Sequence, residues 1–551
     1  MKLETRRLVP LLALLLVVLA GCAGPPTGDA SPAATGDSST EAPAVWSGTT
    51  RAVPADYQTI QAAVDAAEPG DLILISPGVY PEEVQVATPG LTVRGTDRNG
   101  VIIDGEFVRP NAVSVFADGV AVENLTLRNA TENGVIWTGV RGYRGSYLTA
   151  IDNQVYGIYA FDSGDGLFEH SYASGSPDAG FYIGQCDPCS AVITDSISEW
   201  NGLGFSGTNA SGDLYLVDSV WRNNVAGIAP NTLDSELLPP FHDVTVAGNL
   251  IHDNGNRAAP SFTSEWSAFG NGVILAGGSD SLVTRNRIVN HPANGVAITP
   301  NLSDNFWMSS GNRITDNVIE GSGRADIALA GPASGGNCFA DNGDVITLPV
   351  GLEVFQSCDG LRLPMLYELA GSTEQMGRIV ESELGWKTPI TPEMVPKPGP
   401  QPQMPGGADA PVRPAVNVLA SARPDVGAIS LPPMPDDLSV TQSRGVTLFG
   451  VLFASAAGVF FGLYAYLLPF VLYAAWVAIA LWDLARRQDL SKGSTIGWVA
   501  VILLLPFIGV IIYHLFARSP IPLWQRLTFV VGGILAYLII FGVGAVVGGV
   551  L

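Results

Sequence analysis

Between residues 134 and 296 seven segments share a glycine followed by an apolar residue at near-constant spacing. The pairs are Gly134-Val135, Gly157-Ile158, Gly180-Phe181, Gly204-Phe205, Gly227-Ile228, Gly272-Val273 and Gly295-Val296. Successive glycines are 23, 23, 24, 23, 45 and 23 residues apart. A fixed period of this size predicts a stacked solenoid. The step of 45 is close to two periods and predicts a loop around residues 254–269. Three positions after the glycine the side chain is usually apolar too, as in Trp137, Ala160, Ile183, Leu275 and Ile298. That alternation puts the first and third residues inside and the second outside. The glycine itself is read as a corner at positive φ. Asn124, Asp195, Asp218, Asn249, Asn286 and Asn317 recur ahead of these segments. Such side chains can stack at turns and bond the neighbouring backbone. A leucine-rich repeat would show Leu-x-x-Leu-x-Leu, and a helical solenoid would show a 3.6 period. Neither is present, so the coils are all-β. About a dozen fit between residues 71 and 358, giving roughly 60 Å at about 4.8 Å per coil.

Folding begins near Val53. Ile60, Ala63, Val64 and Ala67 share one face of a short predicted helix, which Pro69-Gly70 ends. Asp71-Leu72-Ile73-Leu74-Ile75-Ser76-Pro77-Gly78-Val79-Tyr80-Pro81-Glu82 then reads as a strand, a turn and a second strand. This opening resembles that of pectin-lyase-like proteins, pectinesterases included. The resemblance implies an all-β right-handed parallel β-helix with an N-terminal capping helix. A cap is physically required, because an open solenoid end exposes core and sheet edge. Over its whole length the solenoid resembles the broad group of right-handed β-helix repeat proteins. That group includes lyases, hydrolases, epimerases and proteins without activity, and fold does not choose among them. The pectinesterase motifs Gln-Asp-Thr-Leu and Asp-Phe-Ile-Phe-Gly are absent. Gly78, Tyr80 and Glu82 are read as turn and strand chemistry.

The two ends of the chain read differently. Lys2, Arg6 and Arg7 precede an apolar run over residues 8–19, too short to span a bilayer comfortably. Leu19-Ala20-Gly21-Cys22 follows and resembles the lipobox of bacterial lipoproteins. The resemblance implies a signal peptide over residues 1–22 and a lipid on Cys22; the alternative is a soluble secreted protein cut nearby. Residues 23–52 are rich in Pro, Gly, Ser, Thr and Ala and are expected to be a disordered tether. The β-helix is expected over 53–360 and a Pro-rich, extended spacer over 361–445.

Residues 446–482 carry no charge. As one helix they would be about 55 Å long, against a hydrocarbon core of about 30 Å. Two short spans, 446–464 and 467–482, or one span plus an interfacial piece, are therefore expected. Residues 496–516 and 527–551 are further expected spans, which together make an α-helical transmembrane bundle over 446–551. Arg486, Arg487 and Lys492 lie in one connecting loop and Arg518 and Arg526 in another, so charge fixes orientation only weakly. Trp482-Asp483-Leu484-Ala485-Arg486-Arg487, Gly497-Trp498, Leu504-Leu505-Pro506-Phe507-Ile508-Gly509 and Tyr513 resemble the N-terminal domain of cardiolipin synthase and phospholipase D-type proteins over residues 472–522. The resemblance implies a membrane module. Catalysis in that family needs His-x-Lys-x-x-x-x-Asp, and none of His170, His242, His252, His291 or His514 has Lys two positions later. Phospholipase activity is not expected.

Charge narrows the partners. With 51 Asp and Glu against 28 Lys and Arg, the net charge is −23. Nucleic acid is not an expected partner, because it needs a basic face to neutralise phosphates. Four cysteines remain besides Cys22. In an oxidising space Cys186–Cys189 and Cys338–Cys358 are the expected disulfides. Cys189 and Cys338 are 149 residues apart, about six coils or roughly 30 Å, too far for a shared zinc. Cys-x-x-Cys lacks the βαβ context of a redox motif. No metal or cofactor is expected.

Candidate chemistry concentrates in residues 156–201. The period puts Tyr159 and Tyr182 in one outward column of neighbouring coils, with Asp162, Asp178, Glu199 and Trp200 nearby in sequence. Aromatic rings beside carboxylates can stack on sugars and bond their hydroxyls, and acid–base work on a glycan needs such carboxylates. The competing reading is that the rings merely stack and the acids merely turn the chain. Two functions follow. One is a membrane-anchored, extracytoplasmic protein that binds or modifies cell-envelope polysaccharide, with membrane lipids as its other partner. The other is a structural or adhesion spacer. An enzyme of the first kind would be a polysaccharide lyase, hydrolase or epimerase.

Overall fold

The computed structural model describes residues 47–262, 264–331, 333–360, 362, 395–441, 456–487, 489–505, 508–517, 519 and 521–547. The expected signal peptide, Cys22 and most of the expected tether lie outside them.

The chain coils through three parallel sheets of 12, 10 and 11 strands. In the opening coil they receive Leu72–Ile75, Gly78–Tyr80 and Val84–Val86 in turn, and they are called the first, second and third sheets below. Each strand pairs with its counterpart one coil on. Ile158 lies opposite Phe181, and Tyr159 opposite Tyr182. The predicted alternation holds. Val135, Trp137, Ile158, Ala160, Phe181, Ile183, Val273 and Leu275 all enter one continuous core. Trp137, Phe168, Phe181, Trp221 and Phe205 stack along its axis with ring centroids 5.5 to 6.3 Å apart. The fully buried aromatics supply much of the apolar area, at about 25 cal/mol per Å².

The glycine column has a different cause from the one expected. None of Gly134, Gly157, Gly180, Gly204, Gly227, Gly272 and Gly295 has positive φ. Glycine is required because consecutive coils touch there. A Cβ on Gly204 would sit 2.5 Å from the Gly227 carbonyl oxygen, and one on Gly227 would sit 2.3 Å from that of Gly272. The left-handed corners are taken by residues such as Asn124, Asp152, Asp195 and Asp218, with φ between 46° and 58°. Asn249, Asn286 and Asn317 form a buried ladder instead. Each side chain accepts from the preceding coil, as from Asn249 N to Asn286 Oδ1 at 2.9 Å and from Asn286 N to Asn317 Oδ1 at 3.0 Å. The ladder satisfies amides that turn inside the solenoid.

The helix Ile60–Asp65 caps the open end. Thr59 accepts from Ala62 N, and Glu82 accepts from Ile60 N and Gln61 N at 3.1 and 3.0 Å. Tyr80 donates to Ser76 O at 2.7 Å. Glu82 therefore holds the cap and Tyr80 ties the turn before it, which is turn and strand chemistry. Both expected disulfides, Cys186–Cys189 and Cys338–Cys358, are formed.

Residues 395–441, expected as a spacer, are largely extended but docked along the solenoid. Met404 N donates to Asn124 at 2.9 Å, and Arg144 reaches the carbonyls of Arg413 and Pro414 at 2.7 and 3.1 Å. Arg423 pairs with Asp213 at 2.6 Å, and Thr441 N donates to Asn290 at 2.7 Å. Ala415, Val418 and Leu419 pack on Ala121, Leu167, Val192, Tyr215, Val217 and Ala247. Proline lacks an N–H to satisfy, so a Pro-rich strand can lie on a surface using its carbonyls.

The C-terminal helices are Ala456–Arg486, Lys492–Leu504, Ile508–Phe516 and Leu523–Val547. The first covers residues 456–464 of one expected short span and all of the other, with Pro469 inside it; residues 446–455 lie outside the described ones. The expected span 496–516 is divided between two helices. The side chains are described only in part, and among the described residues no helix is long and apolar enough to cross a membrane. Trp476, Ala480, Leu484, Ile502, Val510 and Tyr513 form their shared core. Tyr513 donates to Asp483 at 2.7 Å and meets Trp498 edge-on at 5.2 Å. The motif residues Asp483, Trp498 and Tyr513 thus join the helices.

Candidate functional site

The outer face of the third sheet carries the column that contains Tyr159 and Tyr182. Two insertions reach this face from opposite ends of its strands. Residues 254–270 precede the strand Val273–Ala276, and residues 232–241 follow the strand Ala226–Asn231. The first is the loop expected from the 45-residue step. In it Phe262 N donates to Pro177 O at 3.3 Å, and a 3-10 turn, Glu265–Ala268, brings Ala268 onto Ala179, Leu203, Ala226 and Ala229. The second is pinned by Asn209, whose side-chain amide donates to Leu233 O, Glu236 O and Leu237 O at 2.8 to 3.1 Å.

Between the insertions three tyrosines meet. The ring centroids of Tyr156 and Tyr159 are 4.5 Å apart, those of Tyr156 and Tyr182 4.9 Å, and those of Tyr159 and Tyr182 4.7 Å. Tyr182 points outward as predicted but is only 1% exposed. Its hydroxyl donates to both oxygens of Glu236, at 3.0 and 2.8 Å. Tyr156 and Tyr159 keep part of their surface open. Tyr182 therefore positions Glu236, while the other two rings are available to a ligand.

Three carboxyls complete the site: Asp178, Glu236 and Glu265. Burial pushes Asp178 well above the usual carboxylate range, and the charges of Glu265 and Glu236 add to it against a hydrogen bond from Tyr156. Asp178 still keeps some solvent contact, so its shift reflects the atoms packed around it together with its acidic neighbours. Burial also raises Glu265, opposed by the Ser264 hydroxyl and backbone amides, and raises Glu236, opposed by Tyr182. Glu265 is 9% exposed, and its Oε2 has no hydrogen-bond partner. None of the groups acting on these three carboxyls is a cation. Buried carboxyls poised above their ordinary range are a physical signature of a functional site.

The other expected residues lie elsewhere. Asp162 is exposed at a left-handed corner, φ 49°, after the third-sheet strand Tyr156–Phe161. Glu199 ends a second-sheet strand, where it accepts from Tyr172 and Arg222, both at 2.7 Å. Trp200 sits at the next corner with φ 59°, its carbonyl accepting from Gly175 N at 3.1 Å. The coil geometry thus brings together Tyr159, Tyr182 and Asp178 and separates Asp162, Glu199 and Trp200 from them. Sequence nearness misled because three consecutive strands of one coil face three directions. Tyr156, Glu236 and Glu265 were missed. Tyr156 precedes Gly157 in the repeat and could have been found from its column. Glu236 and Glu265 lie in insertions, where periodicity says nothing. Among the described residues no group of three or more His, Cys, Asp or Glu could hold a metal ion.

Comparison with known proteins agrees with the fold. A family described as right handed beta helix region matches residues 133–305, and one described as phospholipase D-nuclease N-terminal matches residues 474–518. Nothing among curated proteins matches the chain. Solved structures that it resembles include the A-module of a mannuronan C-5 epimerase from Azotobacter vinelandii, at 17% identity over 51% of this chain and 89% of that one, with TM-score 0.36. An alginate lyase from Paenibacillus shares 14% identity over 53% of this chain and 98% of that one, with TM-score 0.37. A pectin methylesterase from carrot shares 15% identity over 48% of this chain and 85% of that one, with TM-score 0.25. The two family matches cover part of the solenoid and the helical end separately, and both describe what the chain is similar to.

Proposed function

We propose that this protein binds a cell-envelope polysaccharide on the outer face of its third sheet, between the two insertions. The observation that carries the reading is the pair of partly exposed tyrosines, Tyr156 and Tyr159, set against carboxyls that no side-chain cation among the described residues neutralises. Rings offer sugar faces an apolar platform, and carboxyls accept from hydroxyls or donate when protonated. The same carboxyls are suited to proton transfer on a bound sugar, so turnover of a bound glycan is the extension of this reading.

Anchoring is the second part of the proposal. The lipobox-like Cys22 and the apolar C-terminal helices would hold the β-helix on the outer side of a membrane. Labelled palmitate should enter the wild-type chain and not Cys22→Ala. Persistence of label in Cys22→Ala would remove the lipid from the account.

For the site, full-length protein in detergent is screened on an array of envelope polysaccharides. Tyr156→Ala with Tyr159→Ala should lower affinity at least tenfold for whichever glycan binds. A parent that binds none, together with a double variant of lowered melting temperature, would assign the rings to mutual packing and the molecule to a spacer role.

A further inference from the structure

The charge balance around the site points to the kind of sugar it takes. Several acids elsewhere on the solenoid pair with cations. Glu123 bridges Arg94 and Arg144 at 2.9 and 2.6 Å, Asp104 pairs with Arg128 at 2.7 Å, and Glu199 with Arg222 at 2.7 Å. Asp178, Glu236 and Glu265 are different. The groups that act on them are one another, tyrosine and serine hydroxyls, and backbone amides. Glu265 is buried with one oxygen unpartnered, a state that is unfavourable unless something satisfies it. Beside these acids lie the half-open faces of Tyr156 and Tyr159.

Aromatic faces next to uncompensated carboxyls are the surroundings that attract a cation, through ring quadrupoles and ion pairing together. We propose that the sugar unit recognised on this face bears a protonated amine, so that the ligand is a glycan containing de-N-acetylated hexosamine. The proposal rests on the glycan-binding reading above and narrows it. A uronate-rich chain would bring further negative charge to three acids and is rejected on the same ground. The ammonium takes the place of the missing cation beside Glu236 and Glu265, while a ring face covers its carbon skeleton. Because burial raises the three carboxyls, and Glu265 and Glu236 also repel Asp178, the arriving ammonium ionises them and protons leave to the buffer.

The test uses full-length protein in detergent and three hexasaccharides: fully de-N-acetylated chitosan, its N-acetylated counterpart, and oligogalacturonate. Binding is measured by calorimetry at pH 6 in two buffers of different ionisation enthalpy. The amine-bearing hexamer should bind at least tenfold more tightly than the acetylated one, with net proton release, and oligogalacturonate should not bind. Glu236→Gln with Glu265→Gln should erase both the preference and the proton release. Asp178→Asn, a separate variant, should weaken amine binding in the same direction, and circular dichroism verifies that each variant is folded. An unchanged chitosan affinity in the Glu236→Gln/Glu265→Gln protein would trace binding to the overall charge of −23 and overturn the proposal. Equal or tighter binding of the acetylated or uronate hexamer, lost in Tyr159→Ala, would overturn it while leaving the glycan site standing. If no hexamer binding depends on Tyr159, the site reading fails with it.

Discussion

The outer faces of the first and third sheets are built from the same coils and treat charge in opposite ways. The first is covered by the chain's own residues 395–441, and its most buried acid is neutralised. Glu123 is 1% exposed between two arginines whose remaining N–H groups reach carbonyls of the covering strand. Among the described residues the third carries two insertions and the hairpin of residues 301–307, and Asp178, Glu236 and Glu265 there face tyrosines and one another. A buried ion pair is kept only when its desolvation is repaid by good geometry. A buried acid without a cation is a cost the fold carries, and such costs gather at functional sites. The difference separates a face that closes the molecule from one that waits for a partner.

The contrast breaks most visibly at Glu123. Glu123→Ala leaves Arg94 and Arg144 buried with half their partners and should cost about 3–5 kcal/mol in urea unfolding. Glu236→Gln on the third face should cost about 1 kcal/mol or less, since only the bonds from Tyr182 are weakened. Similar losses from the two changes would erase the distinction between the faces.

A smaller effect is expected from loosening the covering strand. Leu419 is buried against the first sheet. Leu419→Ala should cost about 2 kcal/mol, at the lower end for such truncations, and should open residues 395–441 to limited proteolysis. Protection equal to wild type would mean that the arginine-to-carbonyl bonds alone hold the strand.

The smallest effect concerns pH and sharpens the third face. Glu265 has its folded-state pKa raised above the unfolded value. Its contribution to stability is complete below the ordinary carboxylate pKa and is lost as pH rises through the folded value. Glu265→Gln removes that loss. The variant should match wild type at pH 4 and melt a few degrees higher at pH 8. The gain should be about 1 kcal/mol, because a tenfold change in a carboxyl's acidity on folding corresponds to about 1.4 kcal/mol. A wild type and variant that respond identically to pH would show that Glu265 is compensated after all.

Much of the solenoid was legible because its period is local physics repeated. The glycine-apolar spacing located the inward columns, and Tyr159 opposite Tyr182 followed from register alone. The reason for the glycines was not legible. Positive φ and close approach of coils both demand glycine, and only the 2.3 Å between a Gly227 Cβ and the Gly272 carbonyl distinguishes them. Asp178 was found beside the tyrosines, yet Glu199 and Trp200 were grouped with it wrongly. A one-dimensional neighbourhood of about two periods spans two coils and all three sheets.

By itself, then, the sequence determined the all-β coil, its cap, its core columns and the pairing of four cysteines, because each depends on spacing along the chain. It also marked the apolar helices and the residues Asp483, Trp498 and Tyr513 that join them. Only the tertiary structure decided that residues 395–441 close one face, and that Glu236 and Glu265 come from separate insertions to meet Asp178 on another. The hydrogen bonds from the covering strand to the solenoid join residues 141 to 317 positions apart, the insertions are loops without period, and no local pattern encodes either. The burial that shifts the carboxyls is likewise a property of what packs around them, which exists only once the chain is folded.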